Sequence, residues 1–415
     1  MQTGREGGAN WQRNLVALWI GQFLIMVAFS FFFPFIPLYV QTMGVNGTAE
    51  AAQWAGLITA ASAVSMSIAQ PIWGNLSDRW GRKPMVIRSM ISGGIITAIM
   101  GFATSPLQLL LLRFIQGGLT GTVAASNALV ATSAPKHRLG FALGLMQVAY
   151  FSGTSIGPLG GGLLADYLGY RAAFYVSGVL MLLGGVIVIF FVRERFTPPA
   201  ADVPRLGLWK ESRSLFALAI FPLLVAVIFF IQLGSVIVTP VLTLFISELS
   251  QGSNAATLSG FILALTGGVS AVSALAIGRM GDRIGHTIIL PICMAGAALS
   301  YFPQAMATEV WQLLILRMLL GVFLGGLMPS ANALVAGLVP KDHRGAAFGL
   351  TAMSSSLANA VGPLSAALVA STLGLRAVFF TTGLLYTLAW GWVTMGLARQ
   401  NLLQRPAKRQ QGGPA

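Results

Sequence analysis

The sequence predicts an all-α polytopic membrane protein with twelve transmembrane helices in two six-helix repeats, and three observations carry that prediction. Of the 415 residues 55 % are hydrophobic and 9 % charged, with a mean hydropathy of +0.78, whereas a soluble domain carries about 25 % charge. The apolar residues gather into runs of about 20 or more, the length a helix needs to cross the hydrocarbon core. Features of the first half recur in the second. A soluble enzyme is excluded, and the single cysteine, Cys293, lies in an apolar stretch, so it builds neither an intramolecular disulfide nor a cysteine metal centre.

Apolar runs bounded by Gly, Pro or charge place helices near 12–40, 54–76, 84–104, 107–132, 139–165 and 172–192. The second set runs near 214–247, 256–278, 286–305, 309–337, 345–371 and 375–398. The first run is too long for a cleavable signal and has no small-residue cleavage site, so it stays as a helix. Its outer end, Phe29-Ser-Phe-Phe-Phe-Pro34-Phe-Ile-Pro37, should kink at the prolines.

Twelve spans put both termini on one side. With that side cytoplasmic, 21 of the 25 Lys and Arg residues fall in inner segments, Arg171 and Arg376 in outer loops, and Arg113 and Arg317 inside helices. The positive-inside rule therefore accounts for the net charge of +14 without any nucleic-acid partner. The domain organisation expected is a six-helix bundle over 1–192, a cytoplasmic linker over 193–213 with Pro198, Pro199 and Pro204, a second bundle over 214–400, and a basic, disordered tail over 401–415 near the anionic membrane face.

The repeat has a nearly constant offset. Asp78-Arg79 and Asp282-Arg283 stand 204 apart, as do Arg113 and Arg317. After one inserted residue, Asn127-Ala-Leu-Val-Ala returns as Asn332-Ala-Leu-Val-Ala, Gly157-Pro158 as Gly362-Pro363, and Leu168-Gly-Tyr-Arg171 as Leu373-Gly-Leu-Arg376. Parallel repeats of this kind are related by a pseudo-two-fold axis along the membrane normal and hold a substrate site at their interface near mid-membrane. Two halves in one chain already form such a cavity, so a monomer suffices.

The loop expected after the second span, Gly74-Asn-Leu-Ser-Asp78-Arg79-Trp-Gly81-Arg82-Lys83-Pro84, resembles the signature between helices 2 and 3 of the major facilitator superfamily at every defining position. The second half keeps Gly278, Gly281, Asp282, Arg283 and Gly285 but has His286 where a basic residue is usual. Physically, glycines permit a tight reversal and close helix approach, and Asp78 suits an arginine or a helix N-terminus. Gly74, Asp78, Arg79, Gly81, Arg82, Asp282 and Arg283 are thus the expected gating set. Positive-inside anchoring without a gating role is the alternative.

The fifth span, with Gly153, Gly157-Pro158 and Gly161, resembles the antiporter motif of the superfamily's bacterial drug–proton exporters. The three glycines share one helix face, which favours close packing, and Pro158 should introduce a kink. The fourth span resembles a helix-4 motif whose arginine, here Arg113, is associated with proton transfer. An arginine at a helix centre costs about 2.5–3.5 kcal/mol to insert, so it should face a wet cavity or a paired acceptor, and Arg317 obeys the same argument. The first span echoes a family Pro-x-x-Pro ending, with Ala28 in place of glycine.

The resemblance implies that spans 1, 4, 7 and 10 line the cavity. Gln22, Met26, Phe29, Phe33, Asn127, Gln232 and Asn332 become candidate cargo contacts, with Gln147 and Asn359 behind them. Helix-to-helix hydrogen bonding would satisfy the amides equally well. All eleven acids fall on loops or helix ends and none at mid-membrane, so proton coupling would run through Asp78, Asp166 or Glu248 or through the partners of Arg113; Arg113, Asp166 and Arg317 are the expected coupling residues. The three histidines, His137, His286 and His343, read as solvated loop residues. There is no Gly-x-x-x-x-Gly-Lys-Ser/Thr loop, so no nucleotide or other cofactor is expected and a proton gradient supplies the energy.

The function implied is export of amphiphilic small molecules by alternating access in a bacterial plasma membrane, with both termini cytoplasmic. One alternative is the same fold exporting a defined metabolite, sugar or lipid-like molecule, or working as a facilitator; another is a transport-dead sensor.

Overall fold

The computed structural model describes residues 3–135, 138–194, 215–216, 220–252, 254–339 and 344–399, with the side chains of 3–10, Pro71, Asn75, Asp78, 139–140 and 344–346 outside that description. Nearly all of the linker expected over 193–213, and the tail over 401–415, lie outside the described residues.

The described chain is helical: α1 (Thr3–Phe32), α2 (Ile36–Gln41), α3 (Thr48–Trp80), α4 (Arg82–Met100), α5 (Pro106–Leu119), α6 (Thr122–Ser133), α7 (Leu139–Leu168) and α8 (Tyr170–Phe191). There follow α9 (Phe221–Leu249), α10 (Ala255–Ile284), α11 (His286–Ala305), α12 (Val310–Leu338), α13 (Arg344–Leu373) and α14 (Leu375–Arg399). With α1 and α2 forming one span and α5 and α6 another, these make twelve spans among the described residues. Ten are long and apolar enough to cross a membrane by length and composition alone. The other two are α4, 19 residues with three cations in its first seven positions, and the 30-residue α7.

Two spans expected as single helices are interrupted. A 3-10 turn at Phe33–Phe35, with Pro34 and Pro37 at the starts of successive segments, divides α1 from α2, because a proline without an N–H fits a first turn better than a helix interior. The fourth span breaks at Thr120-Gly121, where Gly121 takes φ +135, a conformation open to glycine.

The segment from Gly74 to Trp80 is a further correction, since it is not a loop. It continues α3 in helical form, and only Gly81 separates α3 from α4. Gly81 has φ +96 and ψ 161 and donates its N–H to Ser77 O at 3.0 Å. Gly285 makes the equivalent one-residue hinge between α10 and α11, with φ +101 and an N–H bond to Gly281 O at 2.8 Å.

The chain divides into two compact units, Met1–Val203 with Gly252–Ala264, and Pro204–Gln251 with Leu265–Ala415. In the first, α1 packs on α7 and α8, α4 on α8, and α3 on α5; in the second, α9 packs on α13 and α14, and α11 on α12 and α14. The same detail recurs in each. Gln108 Oε1 accepts the Thr104 N–H and Gln312 Oε1 the Thr308 N–H, both at 2.9 Å, at the starts of α5 and α12. The repeat read from the sequence is thus a repeat of local geometry.

Candidate functional site

In the first unit the chemistry centres on Arg113. Ser105 caps α5 with its Oγ on the Gln108 N–H and Pro106 opens the first turn, which sets the helix start and puts Arg113 about 10 Å further along the axis. The guanidinium is 1 % exposed and lies 5.4, 5.6 and 5.8 Å from the ring centroids of Phe29, Phe32 and Phe33. That is within the range where a ring face attracts a cation. Its Nη1 donates to Gln116 Oε1 at 2.6 Å, Gln116 Nε2 donates to Thr97 Oγ1 at 2.6 Å, and Thr97 donates to Gly93 O. The Arg113 Nε is buried without a partner. The structure therefore brings Arg113 together with Phe29 and Phe33, and adds Phe32, Gln116 and Thr97, which composition alone did not single out. The Arg-x-x-Gln spacing was the available signal, since residues three apart share a helix face.

The second unit carries the repeat mate in a barer setting. Arg317 is 5 % exposed, sits 5.8 Å from the Phe379 ring centroid, and leaves Nε and Nη2 buried without partners. Leu320 stands where Gln116 stands in the first half, and Tyr301 where Thr97 stands. Tyr301 stacks on Tyr386 at 5.6 Å, and Tyr386 donates its hydroxyl to Ile231 O at 3.0 Å.

No described carboxylate pairs with either arginine. Glu194 accepts the N–H groups of Arg82 and Lys83, Asp166 accepts that of Thr257, Asp282 meets His286, and Glu309 closes a capping box at the start of α12. Glu248 is exposed.

The glycine face of α7 is a packing seam. A Cβ on Gly153 would stand 2.6 Å from Met26 Cβ and 2.9 Å from Phe23 O, and one on Gly157 would stand 2.5 Å from Ser30 Cβ. One on Gly161 would enter the Phe31 backbone. The three positions therefore let α1 lie against α7. Pro158, inside α7, removes the N–H that would bond the Thr154 carbonyl. Within the same unit, which includes residues 252–264, Gly162 meets Ala256 and Gly260 meets the Pro158 carbonyl. Just beyond, Asp166 Oδ2 accepts the Thr257 N–H at 2.7 Å in the first turn of α10, where a carboxylate offsets unsatisfied N–H groups and the helix dipole.

At the basic end of the first unit, Gly81, Arg82 and Arg79 surround the hinge. Glu194 holds the start of α4 with Oε1 on the Arg82 N–H at 2.9 Å and Oε2 on the Lys83 N–H at 2.8 Å. Asn14 makes a two-way bond with the Arg193 backbone, at 2.7 and 2.9 Å. Glu194 and Asn14 were not foreseen, because their partners are 111 and 179 positions distant. Gly74 lies inside α3 with nothing within 4 Å of where its Cβ would be, so it serves no close approach here. The side chain of Asp78 lies outside the described residues, as do His137 and His343. In the second unit Asp282 Oδ1 stands 3.2 Å from His286 Nε2, and His286 Nδ1 stands 3.3 Å from Ser330 Oγ. His286 is thus no solvated loop residue: it opens α11 and joins two other helices. Arg283 ends α10 exposed.

The remaining candidates scatter. Gln22 is buried with Oε1 unpartnered, Met26 is buried, and Asn127 has a buried, unpartnered Oδ1. Gln232 Nε2 donates to Asn359 Oδ1 at 2.8 Å, which joins α9 to α13. Gln147 and Asn332 are exposed.

Long apolar spans in two repeated units, each with a buried arginine, define the architecture of a membrane transporter. The chain belongs to the Major Facilitator Superfamily, whose family model matches residues 18–302 and 224–413. It is 36 % identical over 390 residues to the "Multidrug resistance protein MdtG" of Salmonella paratyphi A, covering 92 % of this chain and 95 % of that protein. It is 37 % identical over 396 residues to the protein of the same name from Rahnella sp., covering 94 % and 95 %. Among solved structures it resembles a bacterial homolog of the human lysosomal transporter Spinster in its inward-facing, unoccupied conformation, with a TM-score of 0.77 at 15 % identity over 98 % of this chain and 99 % of that one; this likeness speaks to the fold.

Proposed function

We propose that this protein exports amphiphilic small molecules, several unrelated ones among them, by alternating access in exchange for protons. The observation that carries the proposal is the 36–37 % identity to multidrug resistance proteins along more than nine-tenths of both chains. The α7 glycine seam and the one-residue turns at Gly81 and Gly285 support it, since they bind helices closely within each half, and alternating access needs halves that move as rigid bodies. In this account the basic end is cytoplasmic with both termini, the protein works as a monomer in the bacterial inner membrane, and the proton gradient replaces any cofactor. Asp78, Arg79, Arg82, Asp282 and Arg283 gate the cytoplasmic side, and Arg113, Asp166 and Arg317 couple proton to cargo. Gln22, Met26, Phe29, Phe33 and Asn127 from the first half, with Gln232, Asn359, Asn332 and Gln147, supply cargo contacts.

The test is proton movement in proteoliposomes holding a pH gradient, on adding neutral, cationic and anionic amphiphiles. Collapse of the gradient by several unrelated compounds, lost in Arg113→Ala and Asp78→Asn, is the expected result. Cargo that equilibrates with no proton movement would overturn antiport.

A further inference from the structure

The two halves treat their buried arginine differently, and the difference points to a ligand. Arg113 has an amide acceptor in Gln116, itself held by Thr97, and three phenylalanine rings around it. Arg317 has neither: the Gln position is Leu320, one ring lies near, and Nε and Nη2 are both buried and unpartnered. Those two nitrogens lie on the same edge of the guanidinium. It is the edge that takes two oxygens of one carboxylate, sulfonate or phosphonate in parallel hydrogen bonds. A cation this buried without an acid is unfavourable until an anion arrives, and the described carboxylates are all committed elsewhere or exposed. Tyr301, the counterpart of Thr97 in the first half, stacks on Tyr386 and offers Arg317 no amide or carboxylate acceptor.

We propose that Arg317 is the binding point for an anionic head group, and that the cargo class is amphiphilic organic oxyanions. This rests on the export function proposed above and narrows it. The apolar body of such a cargo suits the surroundings of Arg317 within its own unit, where the Phe379 ring lies near and Tyr301 stacks on Tyr386. The head group enters when the packing around Arg317 opens in the transport cycle.

The experiment measures equilibrium binding to the full-length protein in phosphatidylcholine nanodiscs, without a gradient, using octanesulfonate, octanoate, octyltrimethylammonium and octyl glucoside. The wild type is expected to bind octanesulfonate about tenfold more tightly than octyltrimethylammonium, with octanoate beside it. Arg317→Gln removes that preference and leaves octyl glucoside unchanged. Arg317→Lys restores part of it, because an ammonium is a point charge without the two-pronged edge. Equal or tighter binding of the cation by the wild type would overturn the proposal, and that comparison stands even if the variants fail to fold. Unchanged octanesulfonate binding in a folded Arg317→Gln would overturn it too. Displacement of octanesulfonate by chloride, or by phosphatidylglycerol added to the nanodisc, would assign the site to an inorganic ion or a lipid and overturn the assignment to cargo. Loss of octanesulfonate binding in Arg317→Gln, with no flux of any compound in the liposome assay, would refute export while supporting the anion site.

Discussion

Gly81 and Gly74 belong to one sequence motif, yet their physical demands are opposite. Gly81 holds φ +96 and ψ 161, a region essentially closed to side-chain-bearing residues. Gly81→Ala should therefore cost about 1–3 kcal/mol, read as a lowered unfolding temperature of the purified protein. Gly74 is helical with open space beside it, so Gly74→Ala should be neutral or stabilising by up to about 1 kcal/mol. A Gly74→Ala protein as destabilised as Gly81→Ala would refute this contrast. Gln116 offers a second test at the same scale. Gln116→Leu copies the residue of the second half and leaves Arg113 Nη1 without its acceptor, which should cost about 1–3 kcal/mol. Thermal unfolding indistinguishable from wild type would mean that the three phenylalanines alone hold the cation.

At the level of the helix, the same glycine spacing that marks α7 in the sequence has a definite partner in space. Gly157→Val would drive branched carbons into Ser30 and the Val27 carbonyl, and overpacking of this kind costs about 1–3 kcal/mol or more. The expected result is loss of transport together with a lowered unfolding temperature, and a stable, active Gly157→Val would show that α1 and α7 separate freely. The start of α4 depends on a residue from beyond α8. Glu194→Gln keeps one oxygen acceptor but loses the charge facing the helix N-terminus, for a cost of about 0.5–2 kcal/mol. Unfolding measured with and without salt checks it: the loss should shrink as salt screens the interaction in the wild type. Sequence order hides this contact, because no local pattern joins Glu194 to Arg82 across 112 positions.

For the whole molecule, the distribution of cations makes a topological prediction. Cysteines placed at the two termini of a Cys293→Ala protein should react with an impermeant thiol reagent only after the inner face is opened, as the positive-inside rule requires. Labelling of either terminus in intact cells would reverse or break the twelve-span topology.

Hydrophobic composition, run length and charge asymmetry determine the membrane class and the number of spans by themselves, because each depends on averages over many residues and on transfer free energy rather than on any one contact, and the repeat shows in particular residues that recur at a nearly constant offset. The Arg113 and Arg317 positions were legible for the same reason: a charge inside an apolar run stands out. What surrounds them was not. Only tertiary structure shows that Arg113 meets three phenylalanines and a Gln116 held in turn by Thr97 while Arg317 keeps two nitrogens unpartnered, that Gln232 bonds Asn359, and that a helix, not a loop, carries the motif up to Gly81. Hydrogen bonds and ring contacts form between helices distant in sequence, and their geometry exists only once the helices pack.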